Sequence, residues 1–351
     1  MNIVLVYSFI SVLKFHFTFK TKERSILKKL LLILILTLTF TGCDKGNKPE
    51  NTKRIGVVFS VGGLGDHSFN DSTNRGITAI EEMGYTIKRV EPANPSEDEG
   101  YLREFAEHNF DVIVGVGFLM EDPLKKVALD YPEQKFLGID MNLDLPNVKS
   151  VIFHEKQGSF LVGALAAMVS QGEPVAFVGA VQSPMINAMG EGFKEGALFT
   201  SPDIKVISSY TPGPSPFNDP ARGYEIAASM IDNQGVRVIY HAAGGTGLGV
   251  FQAASERGAY AIGVDTDQDH YQPGTIITSM IKSLDTVSER ELTEILEGRF
   301  SPGIDMQDIS NGGIKITNTP YETGVLGDRE EELTLLIKKL SENIITIEDY
   351  R

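Results

Sequence analysis

Arg54-Ile-Gly-Val-Val-Phe59, then Ser60-Val-Gly-Gly-Leu-Gly-Asp-His-Ser-Phe-Asn70, then the spacing Ile77, Ile80, Met83 closed by Gly84: this passage decides the fold. The first run is continuously apolar, as a strand covered on both faces requires. The loop after it is rich in glycine, and residues 72–83 return an apolar side chain every three positions, the mark of a helix packed on one face. Strand, loop and helix in that order form the first half of a parallel α/β unit.

The same rhythm runs on in both halves of the chain. Strands are expected over Tyr85–Val90, Asp111–Val116, Lys135–Ile139 and Val148–Phe153, with helices over Glu97–Asn109 and Asp122–Tyr131. It restarts with an Ala- and Gly-rich helix at Gln157–Val169, suited to close packing. Strands then fall at Pro174–Val178, Lys205–Tyr210, Val236–Tyr240, Tyr260–Val264 and Thr275–Met280. The intervening helices are Asn187–Phe199, Pro220–Ile231 and Gly247–Gly258; Val287–Gly298 and Arg329–Ile345 close the chain. The fold class is α/β, two units of similar design. The boundary falls near 153–157, and the chain is expected to cross back near 272–283. The domain plan is residues 54–155 plus about 281–310 for lobe 1, and 156–280 plus the C-terminal segment for lobe 2.

Ahead of the first strand stands the only cysteine of 351 residues, Cys43. Lys28-Lys29, the apolar run Leu30–Thr41, Gly42-Cys43 and a polar stretch follow one another as in a bacterial lipoprotein signal. The apolar run is too short for the roughly 20 residues that span a bilayer; a short buried helix is the plain alternative. Residues 1–42 then form a signal region and 43–53 a tether, with Cys43 as the lipidation site. Because the basic stretch lies unusually far from Met1, a true start near Ile26 or Leu27 is expected. The expected location is the cell membrane, lipid-anchored and facing the periplasm or exterior. A lone cysteine forms no internal disulfide. Removing residues 1–42 takes away six Lys/Arg and one Glu, which leaves 26 basic against 46 acidic residues, a net of −20. Such a surface repels nucleic acid, so none is expected as a partner.

In open parallel sheets ligands collect beyond the carboxyl ends of strands. The residues there are Ser60 and Phe69-Asn70 after the first strand, Asp140 after the fourth, and Asn187 after the sixth. Phe217 follows in a proline-rich loop, then Gly244-Gly245 before a helix, Asp265, and Lys282. Taken singly, each has an ordinary structural reading: a capping Asp, a glycine turn, a Phe that lids the core. As a set they offer two aromatic faces, carboxylates and backbone N–H groups around one cleft. Rings stack a flat heterocycle and carboxylates accept from hydroxyls and ring N–H groups. A nucleoside satisfies both; a free sugar satisfies them nearly as well. Residues 244–249 do not form Gly-x-Gly-x-x-Gly, and no phosphate loop occurs, so no cofactor is expected. The six histidines show no metal spacing, and neither a cysteine nucleophile nor a Gly-x-Ser-x-Gly elbow is present. The protein is therefore read as not an enzyme, with no catalytic residue and no metal.

Gly65-Asp-His-Ser-Phe-Asn70, Gly138-Ile-Asp140, Gly190-Glu-Gly-Phe193, Phe217-Asn-Asp-Pro-Ala-Arg-Gly223, Ala243-Gly-Gly-Thr-Gly247, Gly263-Val-Asp-Thr-Asp-Gln268 and Thr278-Ser-Met-Ile-Lys282 occur in this order. On these motifs the chain from about 54 to 345 resembles the basic membrane protein lipoproteins, substrate-binding components of ABC transporters. The resemblance implies a type I periplasmic-binding-protein fold, two Rossmann-like lobes with parallel sheets joined by a hinge. It implies capture of purine nucleosides such as guanosine, inosine or adenosine, with an ABC permease and ATPase as partners. It casts Phe69 and Phe217 as the stacking pair, Asp140 as bonding base or ribose, Asp265 as bonding the ribose hydroxyls with Lys282 beside it, and Asn70 with Gly244-Gly245 as the wall. Ser60 stands where many relatives carry Asp, which bears on the purine edge that is read. The other readings are a sugar or other small-molecule binder, a surface adhesin or antigen with an idle cleft, and, last, a nucleoside hydrolase using His67 or His270.

Overall fold

The computed structural model describes residues 53–59 and 61–351. Cys43, the rest of the stretch before residue 53, and Ser60 lie outside the described residues.

Two six-stranded sheets carry the architecture. The first contains β1 (Arg54–Val58), β2 (Thr86–Val90), β3 (Val112–Val116), β4 (Phe136–Ile139), β5 (Val148–Phe153) and β11 (Gly303–Gln307), in the order β11-β5-β4-β3-β1-β2 and parallel throughout. The second contains β6 (Val175–Gly179), β7 (Val206–Tyr210), β8 (Val238–Ala242), β9 (Tyr260–Asp265), β10 (Ile276–Lys282) and β12 (Ile314–Ile316), in the order β12-β10-β9-β8-β6-β7. Only β12 runs antiparallel among its pairs. The inner strands are buried on both faces, with Val112–Val116 and Val238–Ala242 covered along their whole length. That is why they read as unbroken apolar runs and not as alternating ones.

Helices flank both sheets: α1 (Phe69–Glu82), α2 (Asp98–Glu107) and α3 (Glu121–Asp130) in the first lobe, α4 (Glu155–Val169), α5 (Pro184–Thr200), α6 (Pro220–Gln234) and α7 (Gly247–Arg257) in the second. The chain passes between the sheets at 153–155, returns at 282–284 into α8 (Leu284–Leu296), which packs on α1, and crosses again between β11 and β12. The short α9 (Thr319–Glu322) and α10 (Glu330–Ser341) follow, α10 lying against α4.

The Ala- and Gly-rich helix finds its use in the α4–α5 pair. A Cβ at Gly196 would lie 1.8 Å from Phe160 O, and one at Gly163 2.0 Å from Phe193 O. Only bare Cα atoms let the two backbones come this close.

Each sheet reverses its strand order between its first and third strands, β1/β3 in one lobe and β6/β8 in the other. A crevice opens beyond the carboxyl ends at such a reversal. Here the two crevices open onto one cleft, lined from both lobes.

Candidate ligand-binding site

The cleft between the lobes encloses about 570 Å³ of atom-free space, counted with the solvent at its mouth. It is a slot lined from both lobes. Phe69, Asn70, Asp140, Phe217, Gly244, Asp265 and Lys282, all expected from the sequence, line it.

The first wall is built by Asp66. Its carboxylate accepts from the backbone N–H of Ser68 (2.9 Å), Asn70 (2.9 Å) and Asp71 (3.1 Å), and from Asn70 Nδ2 at 3.1 Å. These bonds fold the glycine-rich loop into the start of α1 and set Phe69 at the cleft. They also turn Asn70 so that its Oδ1, buried, has no hydrogen-bond partner among the described residues. Opposite, Phe217 lines the slot and meets Phe118 edge-on at 6.5 Å between ring centroids. Gly244 has φ +52, and a Cβ there would press on Phe217 O at 3.1 Å, so glycine suits both the turn and the close pass.

Asp140 and Asp265 occupy corresponding places, beyond β4 in one sheet and ending β9 in the other. Both adopt left-handed backbone, φ +60 and +67. Few non-glycine residues do so, and Asp is among those that do. Asp265 Oδ2 accepts from Ser68 Oγ at 2.6 Å across the lobes. Asp140 Oδ2 accepts from Lys282 Nζ, while Asp140 Oδ1 is buried without a partner among the described residues.

Lys282 is 2% exposed at the end of β10. Its ammonium donates to Asp140 and, at 3.2 Å, to Glu155 Oε1, and stands 5.0 Å from the Phe69 ring centroid and 4.8 Å from that of Phe153. Glu155, fully buried, also receives Arg351 Nη2 at 3.3 Å. Burial pushes Asp140, Glu155 and Asp265 above the usual carboxylate range, with Lys282 pulling each back. Burial alone would lower the Lys282 ammonium, but the three carboxylates outweigh it and hold it above its ordinary value.

Two placements, Asn187 and Gly245, differ from the sequence reading. Asn187 does not line the slot: α5 begins at Pro184, and its turn brings Met185, Ile186 and Met189 to the cleft, while Asn187 Oδ1 accepts from Tyr210 OH at 2.8 Å. Lys282 hydrogen-bonds Asp140 and Glu155 and acts on Asp265 through its charge, while Ser68 donates to Asp265. Gly245 stands behind the lining, with Asn218 and Asp66 its neighbours. The sequence reading also passed over Asp66, Phe118, Glu155 and Arg351. Asp66 lay within a motif already singled out. Nothing local marks Glu155 or Arg351, since their partners are distant in the chain.

A family model described as ABC transporter substrate-binding protein PnrA-like, the Bmp family, matches residues 53–349. The chain belongs to this family. Basic membrane protein A1 of Borrelia garinii subsp. bavariensis is 33% identical over 268 residues, 73% of this chain and 77% of that one. An uncharacterized lipoprotein of Pyrococcus furiosus is 29% identical over 306 residues, 82% and 76% of the two chains. Among solved structures, an ABC transporter system solute-binding protein from Aeropyrum pernix K1 superposes with a TM-score of 0.76 at 30% identity, over 85% of this chain and 93% of that one. The Bmp protein thus has the two-lobed architecture of solute-binding proteins, and its slot lies beyond the carboxyl ends of the strands of both sheets. No helix among the described residues is long and apolar enough to cross a membrane.

Proposed function

We propose that this Bmp protein captures a purine nucleoside in the inter-lobe slot and hands it to an ABC permease and its ATPase. The observation that carries the reading is the pairing of two phenylalanine faces with two buried acceptors, Asp140 Oδ1 and Asn70 Oδ1, that lack partners among the described residues. A buried acceptor left unpaired costs about 1–3 kcal/mol. A guest supplying N–H or O–H donors recovers that loss, and a planar guest gains a further ~1–3 kcal/mol for each stacked ring. The remaining walls, Phe118, Met185, Ile186 and Met189, are apolar, which favours a heterocycle over a ring bearing hydroxyls on every edge.

Phe69 and Phe217 hold the base. Asp140 and Asn70 accept from its edge or from the ribose, and Asp265, once released from Ser68, accepts from the ribose hydroxyls. These groups bind and orient the guest, which leaves chemically unchanged; turnover of nucleoside to free base would overturn this. Closure follows from a ligand that touches both lobes, because only differential affinity shifts such an equilibrium. Lipid on Cys43 tethers the protein to the membrane beside its permease.

Titration of ligand-stripped protein with inosine, guanosine and adenosine, beside D-ribose and D-glucose, tests the assignment. Saturable binding of at least one nucleoside, with both sugars silent, is expected; tighter binding of either sugar would overturn it.

A further inference from the structure

His67 and Gln268 belong to two of the sequence motifs, yet neither lines the slot. Both are engaged across the lobes. Gln268, 1% exposed, accepts from Val264 N at 2.8 Å within its own lobe and donates through Nε2 to His67 O at 2.9 Å in the other. Tyr271 OH pairs with His67 Nδ1 at 2.8 Å, and Arg75 Nη2 donates to Thr266 Oγ1 at 2.7 Å. With Ser68 on Asp265, these contacts form one patch between residues 67–75 and 265–271.

The patch lies beside the guest-facing groups. His67 and Ser68 immediately precede Phe69, and Thr266 immediately follows Asp265. The ring comes from one lobe and the carboxylate from the other, so nothing within either lobe fixes their separation. We propose that His67, Gln268 and Tyr271 are positioning residues, an inter-lobe clasp that registers Phe69 against Asp265 and so sets how long a bound solute is retained. The proposal rests on the slot being the ligand site. Gln268 performs both halves of the task with one amide: its oxygen secures β9 and its nitrogen secures the opposite lobe.

Both bonds can be removed without burying a charge. Gln268→Met is close in volume and takes away the amide donor to His67 O together with the acceptor for Val264 N. Tyr271→Phe removes only the hydroxyl at His67. One neutral hydrogen bond contributes about 0.5–1.5 kcal/mol net, so each variant is expected to release inosine about two- to tenfold faster in stopped-flow fluorescence, with the association rate within about twofold of wild type. A merely structural role would lower thermal stability without dividing the rates in this way. Small-angle scattering of the ligand-free proteins is the second arm: both variants are expected to show a larger radius of gyration than wild type. Unchanged dissociation in both variants, or a loss confined to association, overturns the clasp, as does an unchanged radius of gyration. If wild type binds no nucleoside but the variants open, the ligand assignment falls and the clasp stands.

Discussion

Replacing Lys282 by methionine keeps the chain length and removes the charge. In the native cleft the ammonium serves Asp140 and, at 3.2 Å, Glu155, with both carboxylates buried. At an effective dielectric constant near 20, one contact of that length corresponds to about 5 kcal/mol of attraction, most of it offset by the desolvation of the charges. The net loss on removing one partner of a buried pair is about 3–5 kcal/mol, because an uncompensated charge is left behind. Two cation–π contacts, with Phe69 and Phe153, disappear as well. For about 300 residues the unfolding entropy near the midpoint is ~0.6 kcal/mol/K, which converts the loss to a Tm lower by about 5–8 °C. The loss also depends on pH. Burial already holds Asp140 and Glu155 above the usual carboxylate range, and without Lys282 their strongest opposing charge is gone, which leaves only the weaker pull of Arg351. The folded variant then binds protons that the unfolded chain has released, so its stability falls as pH rises from about 4 through the raised folded values. Differential scanning fluorimetry of wild type and Lys282→Met from pH 5 to 8 should show a gap that widens with pH and narrows when Asp140→Asn is added. A gap of under 1 °C at pH 7.5, or one that shrinks as pH rises, would refute the reasoning.

Four further outcomes are expected. Phe69→Ala and Asp265→Ala should each weaken inosine binding at least tenfold by calorimetry, since each deletes a stacking face or a charged acceptor worth more than ~1.4 kcal/mol; intact affinity in a folded variant counts against the site. Gly196→Ala should lower the Tm, at a cost of about 1–3 kcal/mol, because its Cβ would lie 1.8 Å from Phe160 O; an unshifted Tm would mean α4 and α5 part more easily than their packing implies. Burial pushes the His241 imidazole down to about 4, the Gln268 side chain opposing, against 6.5 as its ordinary value. The unfolded chain therefore takes up a proton that the folded one refuses, and about 3 kcal/mol of stability is lost as pH falls from 6.5 to 4. His241→Leu should flatten that acid limb in denaturant titrations, and an unaltered limb would place the proton elsewhere. Gly247→Ala should destabilise in the same region, since its Cβ would meet the His241 ring at 2.0 Å; a neutral result in urea melts would show that the ring yields freely.

The parallel sheets were legible because burial on both faces writes itself as unbroken apolar runs, as in Val112–Val116. The edge strands β2 and β7 were legible too, but the other two edges, β11 and β12, were not. Gly303–Gln307 carries polar residues on a half-exposed edge, and Ile314–Ile316 is three residues long. Neither has enough periodicity to separate it from loop. Phe69, Asp140, Asp265 and Lys282 could be picked out because strand order places their positions, not their neighbours, at the cleft. Asn187 was misplaced because helix phase decides which residues of α5 face inward, and one turn of sequence leaves that phase open. Glu155 and Arg351 lie 196 positions apart and meet only through the fold.

The most direct measurement is to denature the purified protein and identify what it releases by mass spectrometry. A slot lined by Phe69, Phe217, Asp140 and Asp265 should yield an intact purine nucleoside, in up to equimolar amount. Recovery of a hexose, or of free base with separated ribose, would contradict the account.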